Sequence, residues 1–315
     1  MQQLWMVIGA VPGVVLVCWV LLNLKTSRKD GTLLKPHKVR VMMQYIMRTR
    51  TESAVYFDVE VPAQPLLDYL DEVRPHVEAN VTHACVAAAL IGLEAAPQMN
   101  RFTVGQRLYQ RRQREVSFSL KRKKGDAGAK MSTVKLVGED RESFRDFCQR
   151  VNGSIAVERS GERTYADKEY DFFAAIPRPV LSWGVRLMRW LDAHNVLPHS
   201  FIANDPLYTS MFVANLGSIE MGAAFHHLYE WGNCPLFLVV GKVEDRLVRG
   251  DDDKPTWQKV LPLRFTFDER VEDGLTARAG LRVVEDVLTH PRSSLGCIGD
   301  DVFPMRPPGV DDDTP

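Results

Sequence analysis

The stretch Leu261-Pro-Leu-Arg-Phe-Thr-Phe-Asp-Glu-Arg-Val-Glu-Asp-Gly-Leu275 decides the fold of this chain. Apolar residues alternate along its first half, which predicts a β-strand with one buried face. Charged residues follow up to Gly274, and a helical pattern then continues to about Leu288. The sequence therefore predicts a strand that passes through a charged glycine turn into a helix.

A turn of this kind permits two interpretations. It is often no more than a solvated connection, and composition alone favours that reading. It is also a common place for side chains that bind or react. The residue types in the turn decide between the two.

The turn resembles the C-terminal signature of the dihydrolipoyl acyltransferases, the core components of 2-oxoacid dehydrogenase complexes. The chloramphenicol acetyltransferases share their fold. The family pattern is Asp-His-Arg-x-x-Asp-Gly, and this chain matches it at Asp268, Arg270, Asp273 and Gly274. Glu269 stands where the family has its His. The resemblance implies that this position carries the general base and that the Arg and Asp are structural.

Two further segments match the family in the right order. A nearly all-apolar helix predicted over residues 81–96 is followed by Pro97-x-x-Asn100, as in the family. A predicted strand at residues 207–217 ends in Asn215-Leu-Gly217, where the family reads Phe-Thr-Ile-Ser-Asn-Leu-Gly. The resemblance therefore covers residues 35–291, with gaps in the middle.

The strand that ends in Asn215-Leu-Gly217 lacks the hydroxyl that the family has in its equivalent strand. In the family the Ser or Thr of that strand donates a hydrogen bond to the tetrahedral oxyanion, and the equivalent position here is Ala214. Losing one such donor costs about 100- to 1000-fold in rate. Ser218 lies just past the turn and is a candidate replacement, although it is four residues further on. If the protein is active, Glu269 and Asp273 are its candidate catalytic residues.

The resemblance implies an α/β fold of the coenzyme-A-dependent acyltransferase (chloramphenicol-acetyltransferase-like) type, a mixed sheet with helices. We expect this domain at residues 35–300, followed by a disordered acidic and proline-rich tail at 301–315. The family assembles as trimers with active sites between subunits, so we expect a homo-oligomer based on a trimer. Coenzyme A or an acyl-coenzyme A is the implied cofactor. Nothing before the domain resembles a lipoyl domain, so no lipoyl attachment is expected.

The first 24 residues contain no charged side chain. Residues 4–24 are long enough to cross a bilayer as a helix, and basic residues follow them. A cleaved signal peptide is the competing reading, but it requires basic residues before the apolar core and a small-x-small site after it. We therefore expect a single-pass anchor at 1–24 and a basic linker at 25–34. The positive-inside rule then puts the N-terminus outside and the bulk of the chain in the cytoplasm.

Composition excludes little beyond this. The 40 basic and 40 acidic residues balance, so charge gives no general argument for nucleic-acid binding. The five cysteines show neither metal-type nor paired spacing, and we expect reduced thiols and no metal site.

Three segments are open to a structural and a functional reading. Residues 35–50 form a basic helix with an apolar stripe, which suits either anionic headgroups or packing on its own domain. Residues 177–197 combine arginines with Trp and Leu, which suits a membrane interface or a contact between subunits. A basic cluster suits phosphates of coenzyme A, acidic lipid, or simply a solvated loop. The cluster consists of Lys121, Arg122, Lys123 and Lys124.

A His-His pair elsewhere in the chain resembles a catalytic motif but lacks its carboxylate. Some acyltransferases use His-His-x-x-x-Asp-Gly, and this chain has His226 and His227 with Trp231 in place of the Asp. Without that carboxylate the motif itself does not orient the imidazole. We expect a surface or interface loop.

These observations lead to three hypotheses. The substitutions at Glu269 and Ala214, with the anchor, favour a catalytically impaired scaffold on the cytoplasmic face. The alternative is an active acyltransferase that uses Glu269 as the base on a lipid or other membrane-near acceptor. A module that binds coenzyme A without turnover is a third.

Overall fold

The structure is a computed structural model that describes residues 2–122, 131–160, 173–250, 253–296 and 302–309, with side chains from residue 12 onward. The strands, in chain order, are β1 (Gly31–Leu33), β2 (Ala54–Pro62), β3 (Arg101–Val104), β4 (Arg107–Arg111), β5 (Glu115–Lys121), β6 (Met131–Val137), β7 (Met211–Asn215), β8 (Leu236–Val240), β9 (Glu244–Arg249) and β10 (Pro255–Asp268). The helices are α1 (Gln2–Leu24), α2 (Lys38–Ile46), α3 (Gln64–Val73), α4 (Val81–Ala95), α5 (Phe144–Arg159), α6 (Arg178–Ala193), α7 (His199–Asn204), α8 (Gly274–Thr289) and α9 (Pro291–Leu295).

β10, which contains the strand predicted from residue 261, is the longest strand of the main sheet. This sheet has seven strands in the order β2-β10-β8-β7-β5-β6, with β9 paired to the first half of β10. β7 runs parallel to both β5 and β8, and the other pairs are antiparallel. The predicted mixed sheet with helices is thus confirmed.

The core lies between this sheet and the helices α3, α4, α5 and α8. α4 is buried along nearly its whole length, because its residues are almost all apolar or small. A Cβ at Gly92 of α4 would lie 2.8 Å from the Val284 side chain of α8, and one at Gly280 would lie 3.2 Å from Ala96. The two helices can cross this closely because both positions lack a side chain.

The segment expected to be a basic linker is partly built into the fold. β1 pairs with β4 in a small sheet of order β1-β4-β3. Arg28 is buried and bridges two carboxylates, with Nε 2.9 Å from Asp30 Oδ1 and Nη1 2.8 Å from Asp192 Oδ1. The chain after α1 is therefore fastened to the domain by charge pairing rather than left as a free connection.

The amino-terminal helix α1 spans the segment expected to be the anchor. Residues 2–11 lie outside the part of the chain whose side chains are described. Among the residues whose side chains the structure describes, no helix is long and apolar enough to cross a membrane.

Several elements differ from the sequence expectations. β6 and β9 were not predicted, because residues 131–137 and 244–249 are rich in polar side chains and lie at sheet edges. Part of the tail expected to be disordered packs against the body, since Met305 N donates to Glu142 O and Arg306 N donates to Ser294 O. Residues 310–315 lie outside the described part of the chain.

Candidate functional site

The turn after β10 is held by a buried ion pair. Asp268 is the last residue of the strand, and its carboxylate accepts from Arg270 Nε at 2.9 Å and from Arg270 Nη2 at 2.7 Å. The backbone N–H of Arg270 also donates to Asp268 Oδ1. Both side chains are almost completely buried. A bidentate pair of this kind fixes the turn geometry more strictly than a single contact.

The same pair connects the turn to the segment between α2 and β2. Ser53 Oγ donates to Asp268 Oδ1 at 2.9 Å, and Arg270 Nη1 donates to Met47 O at 3.0 Å. Gln44 of α2 donates to Arg270 O at 3.1 Å. The structural role that the resemblance implies for Asp268 and Arg270 agrees with these contacts.

A second ion-pair group is centred on Glu272, later in the same turn. Glu272 accepts from Arg40 of α2 at 2.6 Å and also pairs with Arg101 of β3. Arg40 donates in addition to the backbone carbonyl of Glu269. The turn is thus held from two sides by arginines that are distant in sequence.

Glu269 itself is fixed only through its backbone. Its N–H donates to Ser53 O at 2.9 Å, and its carbonyl accepts from Arg40. Its side chain is half-buried. In the described part of the chain, no group hydrogen-bonds to its carboxylate. A general base must be oriented toward the proton that it removes, and among the described residues no side chain orients the Glu269 carboxylate.

Asp273 serves as the N-cap of α8. Its Oδ1 accepts from Thr276 N at 3.0 Å, and the side chain is exposed. Hydrogen bonding from the Thr276 backbone lowers the pKa of the Asp273 carboxyl. Gly274 follows as the first helical residue, and a Cβ there would meet no atom within 4 Å. The capping hydrogen bond accounts for an Asp at position 273, whereas no contact among the described residues requires a Gly at position 274.

The Asn215 turn after β7 is closely packed. Asn215 Nδ2 donates to Thr82 Oγ1 at 2.9 Å, and its Oδ1 accepts from Ser218 N. A Cβ at Gly217 would lie 2.4 Å from Gly241 O, so only glycine fits there. Ser218 Oγ donates to Asn215 O at 2.8 Å, which commits its proton to the backbone. Ser218 is therefore not positioned as a free oxyanion donor, and Ala214 at the end of β7 offers none.

Asn100 follows a short 3-10 helix, Pro97–Met99, at the end of α4. It is buried, and its Nδ2 donates to Gln113 O at 3.0 Å. The residue closes the connection between α4 and β3.

The Asn215 turn borders a cavity of about 650 Å³ between α4, α5 and the carboxyl end of β5. Three cationic residues, Lys121, Arg159 and Lys242, line it together with Asn215 and Ser218. Arg122, next in the predicted basic cluster, pairs instead with Glu158 at 3.4 Å. The other two members, Lys123 and Lys124, lie outside the described residues.

His83 lies in the wall of this cavity and was not predicted from the sequence. Its Nε2 is 3.0 Å from Asn152 Oδ1, and Asn152 Nδ2 donates to Glu78 O, which turns the amide oxygen toward the ring. Nε2 therefore carries the proton, and no described donor reaches the buried Nδ1. Burial lowers the pKa of the imidazole, so the ring is neutral. A single His in an otherwise apolar helix was the available signal.

The two candidate turns are far apart within one chain. Asn215 lies opposite Val240, and Val240 lies opposite Leu263 of β10. Glu269 comes six positions after Leu263. At about 3.3 Å per strand residue, Glu269 is therefore about 20 Å from the level of Asn215 along the sheet. Side chains at these two turns cannot act on one bond within a single chain.

The His226–His227 segment forms a loop without regular structure, as the expected surface loop requires. His226 stacks on Phe237 with ring centroids 4.0 Å apart, and its Nδ1 bonds to His227 O. The loop packs its Leu228 against the sheet residues Phe212 and Phe237. In the described residues no cluster of three His, Cys, Asp or Glu side chains could hold a metal ion.

Comparison with known proteins gives a likeness of fold only. No protein-family model matches the chain, and no curated protein matches it. A probable dihydrolipoamide acetyltransferase from Listeria monocytogenes superposes with a TM-score of 0.54 at 16% identity, covering 82% of this chain and 94% of that one. The dihydrolipoamide acetyltransferase of Azotobacter vinelandii gives 0.54 at 15%, covering 85% and 93%. A truncated catalytic core of the 2-oxoacid dehydrogenase complex from Thermoplasma acidophilum gives 0.51 at 15%, covering 82% and 99%. These values confirm the acyltransferase-like fold.

Proposed function

We propose that this protein is a membrane-anchored scaffold built on the acyltransferase fold, homo-oligomeric and based on a trimer, with impaired acyl transfer. Its bulk lies on the cytoplasmic face. The observation that carries the proposal is the state of the two reacting positions. Ala214 has no hydroxyl, and the Glu269 carboxylate has no hydrogen-bond partner among the described residues.

The chemistry supports the loss of efficient transfer. Acyl transfer needs a base that removes the proton of the attacking thiol or hydroxyl. It also needs a donor for the tetrahedral oxyanion, which is worth about 100- to 1000-fold. Ser218, the nearby hydroxyl, already donates to Asn215 O. In contrast, the contacts that hold the fold, such as Asp268 with Arg270, are present.

The assembly and the anchor are supported by different observations. The likeness to multienzyme-complex cores favours an oligomer. The anchor rests on the uncharged first 24 residues and the basic residues after them. Both are proposals for this chain.

A second candidate function is an active coenzyme-A-dependent acyltransferase on a lipid or other membrane-near acceptor, with Glu269 as base. The cavity of about 650 Å³ favours it, because Lys121 and Lys242 in its wall suit the phosphates of coenzyme A. Binding of coenzyme A without turnover would use the same cavity.

Acyl transfer by the full-length, detergent-solubilised protein distinguishes these functions. The measurement is transfer from acetyl-coenzyme A to a panel of thiol and hydroxyl acceptors, for the natural chain, Glu269→Gln and the control Glu285→Gln on α8. The scaffold predicts no transfer above background, with a trimer or a multiple of it by light scattering. Transfer that is lost in Glu269→Gln and kept in Glu285→Gln would overturn the scaffold and establish the enzyme.

A further inference from the structure

A second cavity carries an excess of positive charge. It has a volume of about 260 Å³ and lies between the end of α2, the end of α6 and the loop before β8. The charged and amide side chains that matter here are Gln44, Arg48, Arg50, Arg189 and Glu230. We call it the arginine cavity.

Arg50 is the unusual member of this set. It is only 7% exposed, and its guanidinium donates to the backbone carbonyls of Tyr229, Glu230 and Thr103. No described carboxylate lies within salt-bridge distance of it. A buried cation without an ion pair is costly, and carbonyl oxygens compensate this cost only in part.

The acidic side chains around the arginine cavity are already engaged. Glu230 Oε1 accepts from both the N–H and the hydroxyl of Thr51. Asp192, which also lines the cavity, pairs with Arg28 at 2.8 Å. Asp268 and Glu230 attract Arg50 only at longer range, and neither forms a salt bridge with it.

Two further guanidinium groups face the same space. Arg48 follows α2 and Arg189 lies on α6, and both are exposed while they line the cavity. Arg189 makes one long contact, 3.3 Å, to Glu230 O. The cavity is thus lined by two arginines of the segment between α2 and β2 and by one arginine of α6.

We propose that the arginine cavity binds a phosphate monoester. Three guanidinium groups around one cavity suit an anion with three outward oxygens and about two negative charges better than a carboxylate with two oxygens. Arg50 supplies the buried charge, and Arg48 and Arg189 supply contacts at the opening. Arg270 of the β10 turn also lines the cavity, but the proposed function does not depend on Arg48, Arg50 or Arg189, so the two proposals can fail separately.

The phosphate could belong to a soluble metabolite or to a lipid headgroup. α2 and α6 expose apolar side chains beside the cavity, among them Tyr45, Ile46, Trp183 and Trp190. Side chains of this kind suit the acyl region of a lipid whose phosphate enters the cavity. The shared chemistry is the monoester, and the test separates the two sources.

The test is calorimetric titration of the full chain in detergent with two probes. One is sn-glycerol 3-phosphate, with glycerol as the neutral control, and the other is dihexanoyl phosphatidic acid, with dihexanoyl phosphatidylcholine as the control. We expect binding of the phosphate monoester and not of its control, weakened by added salt. Equal affinity for both probes identifies a soluble phosphate, and tighter binding of the lipid identifies a headgroup.

Variants at the opening keep the test valid if Arg50 is needed for folding. Arg48→Gln and Arg189→Gln remove exposed side chains, and each should weaken binding about tenfold or more, the usual value of one charge-assisted hydrogen bond. Arg186→Gln on the same helix does not line the cavity and should leave the affinity unchanged. Absence of binding to both probes, or binding that Arg48→Gln and Arg189→Gln do not weaken more than Arg186→Gln, would overturn the proposal.

Discussion

Arg270 Nη2 lies 2.7 Å from Asp268 Oδ2, and the two side chains form a bidentate pair that is almost completely buried at the end of β10. The pair also reaches Ser53 and the backbone of Met47. It therefore joins the strand, the turn and the segment after α2. These contacts fix the position of the turn, and none of them reaches the carboxylate of Glu269.

Breaking this pair should destabilise the protein strongly. Arg270→Ala leaves a buried Asp268 carboxylate without its cation, and removal of one partner of a buried pair costs about 3–5 kcal/mol. Urea unfolding of the purified protein measures this change. The control is Arg74→Ala, which breaks an exposed pair with Asp71 and should cost about 1 kcal/mol or less. Equal effects of the two substitutions would contradict the assigned role.

Two glycines of the family pattern should respond differently to alanine. At Gly217 a Cβ would lie 2.4 Å from Gly241 O, so Gly217→Ala must displace backbone and should cost about 1–3 kcal/mol. At Gly274 the space is open, and Gly274→Ala should change stability by about 1 kcal/mol or less. Thermal unfolding of both variants is the measurement. A larger loss at Gly274 would show that a second copy occupies this space.

Restoring the reacting groups should test where the site is completed. Glu269→His and Ala214→Ser together supply the family's base and hydroxyl, and we expect measurable acyl transfer in the double variant. Because the two turns lie about 20 Å apart in one chain, the groups must meet between copies. Co-expression of the two single variants in mixed oligomers should then also give transfer, while each single variant alone stays near background. Activity in the double variant without activity in the mixed oligomers would refute a shared site.

The buried thiols should resist alkylation in the folded protein. Burial raises the pKa of Cys85 to about 12 and that of Cys234 to about 11, so their reactive thiolates are scarce below those values. Iodoacetamide at pH 8.5, followed by mass spectrometry, should leave both of these cysteines unmodified in the folded protein. Modification in guanidinium chloride, where the ordinary pKa returns, is the positive control. Rapid native modification of Cys85 would mean that α4 opens.

The arrangement of strands and helices was largely readable from the chain. α4 was expected at residues 81–96 and is found at Val81–Ala95, because an unbroken apolar run has one stable place in a soluble domain. Edge strands such as β6 were missed because one face is solvated and the apolar signal is weak. Parallel pairing of β7 was also invisible, since pairing partners are set by distant segments.

The candidate site, too, was predictable from the sequence only in part. The replacement of the family's base and hydroxyl by Glu269 and Ala214 is a property of the sequence, because residue types at motif positions need no coordinates. The tertiary structure decided what surrounds them: the commitment of the Ser218 hydroxyl to the backbone and the separation of the two turns. It also decided that Arg50 is buried without a carboxylate partner among the described residues. Local patterns report which side chains are available, whereas hydrogen-bond partners and burial depend on segments that are distant in sequence and meet only in the folded chain.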